Sequence, residues 1–154
     1  MRVFLDTTYF IPSIGVALPN LPWDIAFRVQ RNAETVISDL TLFELYAKGA
    51  KYVKKGFIEK EQVLRGVTSL RLDERFQKVD YWDSMMQDTA ISLRQNINDY
   101  LDCILLASAI HSSEVMLTED MVLRKAAEDN RGLISKLNSG FQVKNWNQVK
   151  ELYK

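Results

Sequence analysis

Cysteine and histidine are nearly absent. The 154 residues hold one of each, Cys103 and His111. A lone cysteine cannot close an internal disulfide, which excludes a disulfide scaffold and fits a reduced, intracellular protein. One cysteine and one histidine also fall short of the three or four protein ligands of a zinc site. Cys103 lies in an apolar stretch and reads as small core filler, and His111 as a partly exposed helix-end residue.

An excess of either charge is missing as well. Twenty Lys and Arg balance twenty Asp and Glu, so the chain lacks the basic surplus of a protein held to nucleic acid by bulk charge. Any such binding must come from a local patch. No long uncharged apolar run occurs, and no membrane span is expected. The opening Met1-Arg2-Val3-Phe4-Leu5-Asp6 meets an acid too soon for a signal peptide, which favours a cytoplasmic protein. There is no Gly-rich Gly-Lys-Ser/Thr run and hence no P-loop. With three prolines, six glycines and no repeat, linker or low-complexity run, a single domain over residues 1–154 is expected. That length can bury a sizeable core.

What is present is an alternation of short strands and helices. Val3-Phe4-Leu5 reads as a buried strand ending at Asp6-Thr7-Thr8, followed by a helix to about Gly15 and a loop punctuated by Pro19-Asn20-Leu21-Pro22. A helix from Trp23 to about Asn32 leads to a strand over Glu34 to Ser38, where Thr35, Val36 and Ile37 are β-branched. Ser38 or Asp39 can cap the next helix, which carries Glu44 and runs to about Lys55. Val63, Leu64, Val67 and Leu70 mark a helix over Glu59 to Leu70, and Arg75 to Val79 a weaker, more exposed strand. Trp82, Met85, Met86, Ala90, Leu93 and Ile97 read as the core face of another helix.

The run after Asp102 is apolar nearly all round, so its helix should be buried. Val115 to Leu117 is a short buried strand. Met121 to Glu128 reads as a helix, Asn130 to Gly132 as its stop, Phe141 to Val143 as an edge strand and Gln148 to Tyr153 as a terminal helix. Strands alternating with helices predict a three-layer α/β/α sandwich around a central, mainly parallel sheet of four or five strands.

In such a sheet all strand ends that precede helices lie along one edge, where open α/β sheets place ligands. Four acids are carried there. Asp6 follows the first strand, Glu44 stands on the helix after the second, Asp102 opens the central helix, and Asp120 follows the strand after it. A haloacid-dehalogenase phosphatase also begins with a strand-end Asp, but it needs a second acid two residues on, where this chain has Thr8.

Asp6-Thr7-Thr8, Ser38-x-Leu40-Thr41-x-x-Glu44-Leu45, Asp102-x-x-Leu105-x-Ala107-x-Ala109 and Leu117-Thr118-x-Asp120 resemble, in order and spacing, the four acidic motifs of the PIN domain. The resemblance covers almost the whole chain. It implies an α/β/α sandwich, Mg²⁺ or Mn²⁺ at the acids, and metal-dependent cleavage of phosphodiester bonds, most often in RNA. Small single-domain members are most numerous among VapC-type toxins, which implies a possible antitoxin partner and a homodimer. An RNA-processing nuclease, or a PIN-like module that binds RNA or protein without cutting, are the alternatives, since fold does not fix function.

Mg²⁺ takes hard oxygen ligands and keeps several waters, so carboxylates and substrate phosphate suffice without His or Cys. On this reading Asp6, Glu44, Asp102 and Asp120 are the catalytic metal ligands, with Thr7 and Thr118 in support and Thr118 holding a water or Asp120. Structural roles compete for each acid. Asp99 reads better as a helix cap than as a fifth ligand, whereas for Asp120 a first-turn acid and for Glu44 an i,i+4 partner of Lys48 are the competing roles. Lys48, Lys51 and Lys55 share roughly the helical face of Glu44. They are a solvated face or a phosphate track for single-stranded RNA, extended by Lys54, Arg124 and Lys125.

Overall fold

Five strands, β1 (Arg2–Leu5), β2 (Glu34–Ser38), β3 (Phe76–Val79), β4 (Val115–Leu117) and β5 (Gln142–Lys144), form one sheet in the computed structural model, which describes residues 1–153. Their order is β3-β2-β1-β4-β5, and every neighbouring pair is parallel. The sheet is therefore fully parallel, within the four or five strands expected.

Alternating side chains feed two cores, one per face. Val3 and Leu5 of β1, Ile37 of β2 and Leu117 of β4 enter one core with Tyr9, Phe10, Leu45, Val67 and Phe76. Phe4, Val36 and Met116 point the other way and pack with Cys103, Leu106, Ala107, Ala90 and Leu93. Helices cover both faces, as strands buried on two sides require. A 3₁₀ helix (Thr7–Ile14), α1 (Ile25–Asn32), α2 (Asp39–Lys54) and α3 (Lys60–Leu72) lie with the first core. The second core takes α4 (Ser84–Leu93), α5 (Tyr100–Ser112), α6 (Met121–Asp129) and α7 (Arg131–Leu137). The chain closes with α8 (Trp146–Val149) and a short 3₁₀ turn (Lys150–Tyr153) that returns Trp146, Val149 and Tyr153 to the first core.

Helix starts follow the side chains that satisfy free backbone N–H groups. Ser38 accepts from Leu40 N–H at 3.1 Å and opens α2. Asp99 accepts from Leu101 N–H at 2.8 Å and opens α5, so the cap expected of Asp99 is present. Every residue from Cys103 to Ile110 is buried, in keeping with an apolar run that has no polar face. Cys103 is core filler, and His111 is half-buried in the last turn of α5 with Nε2 2.8 Å from Thr89 Oγ1.

The structure corrects several element boundaries. The helix from Met121 stops at Asn130, its C-cap, as expected, but the stop is one residue long, because Arg131 already begins α7 with Gly132 inside it. Asn130 holds this corner with its side chain, donating to Ala126 O at 2.8 Å and accepting from Asn96 at 2.9 Å. Trp82 and Met85 are not core. They are 71% and 57% exposed, because α4 starts only at Ser84 and packs against α5, with Met86, Ala90 and Leu93 on its buried side. The first helix is 3₁₀ rather than α, with Pro12 inside and Gly15 at positive φ closing it. The helix expected from Trp23 begins at Ile25. The fifth strand is one residue later than expected, and β3 is an edge strand whose Phe76 is nonetheless buried against Phe10 and Phe27.

Candidate active site

The strand order reverses direction at β1. The chain builds outward from β1 through β2 to β3, then crosses to the other side for β4 and β5. Such a switch point opens a crevice at the carboxyl ends of the two diverging strands, and Leu5 pairs in register with Leu117 there. The next residues are Asp6 and Thr118. Asp6 N–H donates to Leu117 O at 3.0 Å and Thr118 N–H to Lys144 O at 2.9 Å, so both are fixed by the sheet ladder before any side chain contributes.

Asp6 is buried, and both carboxylate oxygens are held. Thr7 N–H donates to Oδ1 at 2.7 Å and Thr118 Oγ1 donates to Oδ2 at 2.8 Å. The same Thr118 hydroxyl accepts from Asp120 N–H at 3.1 Å. Thr118, wholly buried, thus links the first acid to the backbone of the last. Thr7 does the equivalent on the other side, since its hydroxyl donates to Glu44 Oε2. Glu44 sits two turns into α2 and is half-buried. It makes no ion pair with Lys48 among the described residues, so the expected i,i+4 pair is replaced by the bond from Thr7.

Asp120 has the structural role the sequence allowed. It caps α6, accepting from Val122 N–H at 2.7 Å and Leu123 N–H at 3.0 Å through Oδ1. Among the described residues no hydrogen bond engages its other oxygen. Asp102 lies in the first turn of α5, three residues past the capping Asp99, and accepts no side-chain hydrogen bond among the described residues.

The acids feel one another. Burial lifts the Asp6 carboxyl above its ordinary range, against the Thr118 bond and the Lys48 charge, and Asp120 adds to the rise. Burial also raises Glu44, with Asp6 and Asp99 pushing the same way. Asp102 is pushed up to about 6, first by burial and then by the charges of Asp99, Asp120, Asp6 and Glu44. This is the signature of carboxylates sharing a site with too little positive charge. Lys48 is the cation that acts on both Asp6 and Glu44, whereas Lys51 and Lys55 follow on exposed turns. Lys54 instead borders an apolar groove with Tyr46, Val53, Val63 and Leu64, and Lys125 pairs with Asp129 at 3.8 Å on the surface.

The four acids therefore share one electrostatic neighbourhood without closing into a cage. Among the described residues, no three Asp, Glu, His or Cys side chains surround an ion-sized point. The donor set still fits a hard divalent cation, being all oxygen, under-neutralised and partly buried.

Glu119 is the residue that sequence reasoning passed over. Its Oε1 accepts from Tyr9 OH at 2.6 Å and from Trp146 N–H at 2.7 Å. This ties the loop after β4 to the 3₁₀ helix after β1 and to the start of α8. The adjacent carboxylate raises the Tyr9 hydroxyl well above its usual range, after burial. The readable signal was an acid between Thr118 and Asp120 whose side chain must point away from theirs.

A solved structure with a similar fold is the crystal structure of VapBC2 from Rickettsia felis bound to a DNA fragment from their promoter. The match has a TM-score of 0.60 and 17% sequence identity, and covers 95% of this chain and 99% of that one. No curated protein matches the chain. The PIN domain family model matches residues 3–129, a span that contains Asp6, Glu44, Asp99, Asp102 and Asp120, and the chain belongs to the PIN domain family.

Proposed function

We propose that the protein is a metal-dependent endoribonuclease that hydrolyses phosphodiester bonds of single-stranded RNA, and that it serves as the toxin of a toxin–antitoxin pair. The observation that carries the reading is the Thr7–Asp6–Thr118–Asp120 chain at the switch point, with Glu44 and Asp102 adding uncompensated negative charge. A protein gains nothing in stability from crowding carboxylates at a strand edge. Burial and their mutual repulsion raise their affinity for protons, and a bound cation would relieve the repulsion.

Asp6, Glu44, Asp102 and Asp120 would hold Mg²⁺ or Mn²⁺, directly or through water. Bound there, the ions would supply a nucleophilic water and neutralise charge on the phosphate and the leaving oxygen. The chain's own residues do the positioning. Thr7 and Thr118 fix the Asp6 carboxylate by one bond to each oxygen, and Thr118 sets the distance between Asp6 and the start of α6. The cap on α5 is Asp99, which leaves Asp102 free to face the crevice. Lys48, Lys51 and Lys55 would guide the RNA backbone along α2 toward the acids.

The toxin assignment takes support from family membership and from the fold shared with the VapBC2 structure. It brings with it an antitoxin partner, a homodimer and a cytoplasmic setting. No described helix is long and apolar enough to cross a membrane. A processing nuclease would have the same chemistry, and a small antitoxin gene overlapping the start of this one separates the two. One observation favours a non-cutting module, namely that the acids do not close around a point.

The test is incubation of the full chain with generic single-stranded RNA. Cleavage is expected with Mg²⁺ or Mn²⁺ and is abolished by chelator. Undiminished cleavage in excess EDTA would sink the metal mechanism, and failure with any RNA and either ion would favour the binding module. Solution scattering at tens of micromolar should give the dimer mass.

A further inference from the structure

Next to the acids, on the far side of the Thr118–Asp120 turn, lies a second polar feature that the nuclease reading leaves unused. A cavity of about 430 Å³ opens between α6, α7 and the edge strand β5. Its wall carries Arg124, Arg131 and Lys144 against one acid, Glu128, with Gln142 and Gln148 as further polar groups. On a chain with zero net charge, this is a local excess of positive charge.

Arg124 is the informative residue. Asp120 and Glu128 stand four residues before and after it, the spacing at which helical arginines find carboxylates. It pairs with neither, and Asp120 instead caps the helix with its carboxylate. Its Nε is buried and has no hydrogen-bond partner. A buried guanidinium N–H left unbonded is costly, so a partner from outside the chain, solvent or ligand, would stabilise it. Arg131 and Lys144 likewise have no ion-pair partner among the described residues. Arginine's planar fork matches the oxygens of phosphate.

We infer that this cavity is a phosphate-binding site, filled by a phosphodiester of the RNA strand whose scissile bond lies at the acids. The inference rests on the nuclease reading for the identity of the strand. The phosphate chemistry of the cavity stands without it. The covalent frame keeps the two sites close. Arg124 N–H donates to Asp120 O at 3.0 Å and Lys144 O accepts from Thr118 N–H at 2.9 Å, so the backbone of Arg124 lies one helical turn, roughly 5 Å along the axis, past Asp120, and that of Lys144 lies beside Thr118. A strand held by Arg124, Arg131 and Lys144 on one side and by Lys48 on the other would be drawn across the acids.

The experiment measures binding of a fluorescent ten-nucleotide RNA to the full chain in EDTA, where no cleavage occurs, over a range of salt. Arg124→Gln should weaken binding about tenfold and make the dependence on salt shallower by about 0.7 in the log–log slope, the value for one lost phosphate contact on a single strand. Arg131→Gln, at an exposed position, should act in the same direction and serves if the Arg124 variant folds poorly. Arg124→Lys keeps charge without the fork and should recover only part of the loss. A parallel arm follows the melting temperature in millimolar inorganic phosphate.

Phosphate protection of the wild type but not of Arg124→Gln, with RNA affinity unchanged, would keep the phosphate site and assign it to a free phosphate or nucleotide. Wild-type chain that binds no RNA yet is protected by phosphate would remove the nuclease reading and leave the cavity standing. Unchanged RNA affinity and salt slope in both variants, with no phosphate protection, would overturn the inference while leaving RNA cleavage untouched.

Discussion

Two carboxylates three residues apart at the start of α5 have opposite environments, and substitution to Asn separates their roles. Asp99 is a cap and Asn caps about as well, so Asp99→Asn should leave cleavage within a few fold. Asp102→Asn keeps the size and removes the charge. It should lose most cleavage while keeping its circular dichroism spectrum. Metal-free Asp102→Asn should also melt higher than the wild type, because its parent carboxyl is already pushed up to about 6 by burial and four neighbouring acids. If Asp99→Asn is the inactive variant and Asp102→Asn the active one, the roles are reversed. Thr118 offers a second test. Replacing its buried hydroxyl by Thr118→Val removes a donor to Asp6 and an acceptor for Asp120 N–H, which should cost about 1–3 kcal/mol in a denaturant melt. Thr118→Ser should restore most of it.

Helices fit this sheet through close approaches that only glycine permits, and here the element scale makes its own prediction. Gly66 of α3 faces the carbonyl of Ser13, and Gly49 of α2 faces the side chain of Val63. Alanine normally favours a helix over glycine by roughly 0.5–1 kcal/mol. At both sites the sign should reverse, since an added methyl overlaps its neighbour and overpacking costs about 1–3 kcal/mol. Gly66→Ala should be the worse of the two, because it meets backbone at the 3₁₀ helix that carries Thr7, whereas Val63 can shift. Thermal melts of the two variants decide the order. The elements themselves were largely legible, because β-branched runs, caps at Ser38 and Asp99 and the all-apolar run after Asp102 each act locally. Trp82 and Met85 were misread because periodicity counts apolar residues before it knows where a helix starts or which face it buries: Trp82 precedes α4, and Met85 lies on its outward side. The stop at Asn130 was legible but the restart at Arg131 was not, because Asn and Gly commonly end helices, and only the hydrogen bonds to Ala126 and Asn96 show that the chain turns a corner here.

Across the whole molecule the crowded acids set the response to pH. Asp6, Glu44 and Asp102 all hold their protons more tightly in the folded state than in the unfolded chain. Their stabilising contribution is therefore complete below the unfolded carboxylate range and is lost as pH rises through the folded values, about 6 for Asp102. His111 acts oppositely, since burial lowers its proton affinity and charging it costs stability as pH falls. The difference in melting temperature between Asp102→Asn and the wild type cancels that term. Without metal this gap should widen from about pH 4.5 to pH 7, where Asp102 becomes charged. Millimolar Mg²⁺ should narrow or invert it, because a cation that binds only the folded wild type stabilises it by mass action. A gap independent of pH would show that Asp102 does not share the field of the other acids. The sequence by itself determined the fold class and the list of acids, since alternating apolar strands and helices admit few arrangements other than a parallel sheet, and each acid follows a readable strand or cap. Only the tertiary structure decided that β1 and β4 are neighbours. That adjacency sets Asp6 against Thr118, turns Glu119 toward Tyr9 and Trp146, and leaves Arg124 facing a cavity. Strand order is a property of long-range pairing, and no local pattern of residues encodes which strand ends will meet.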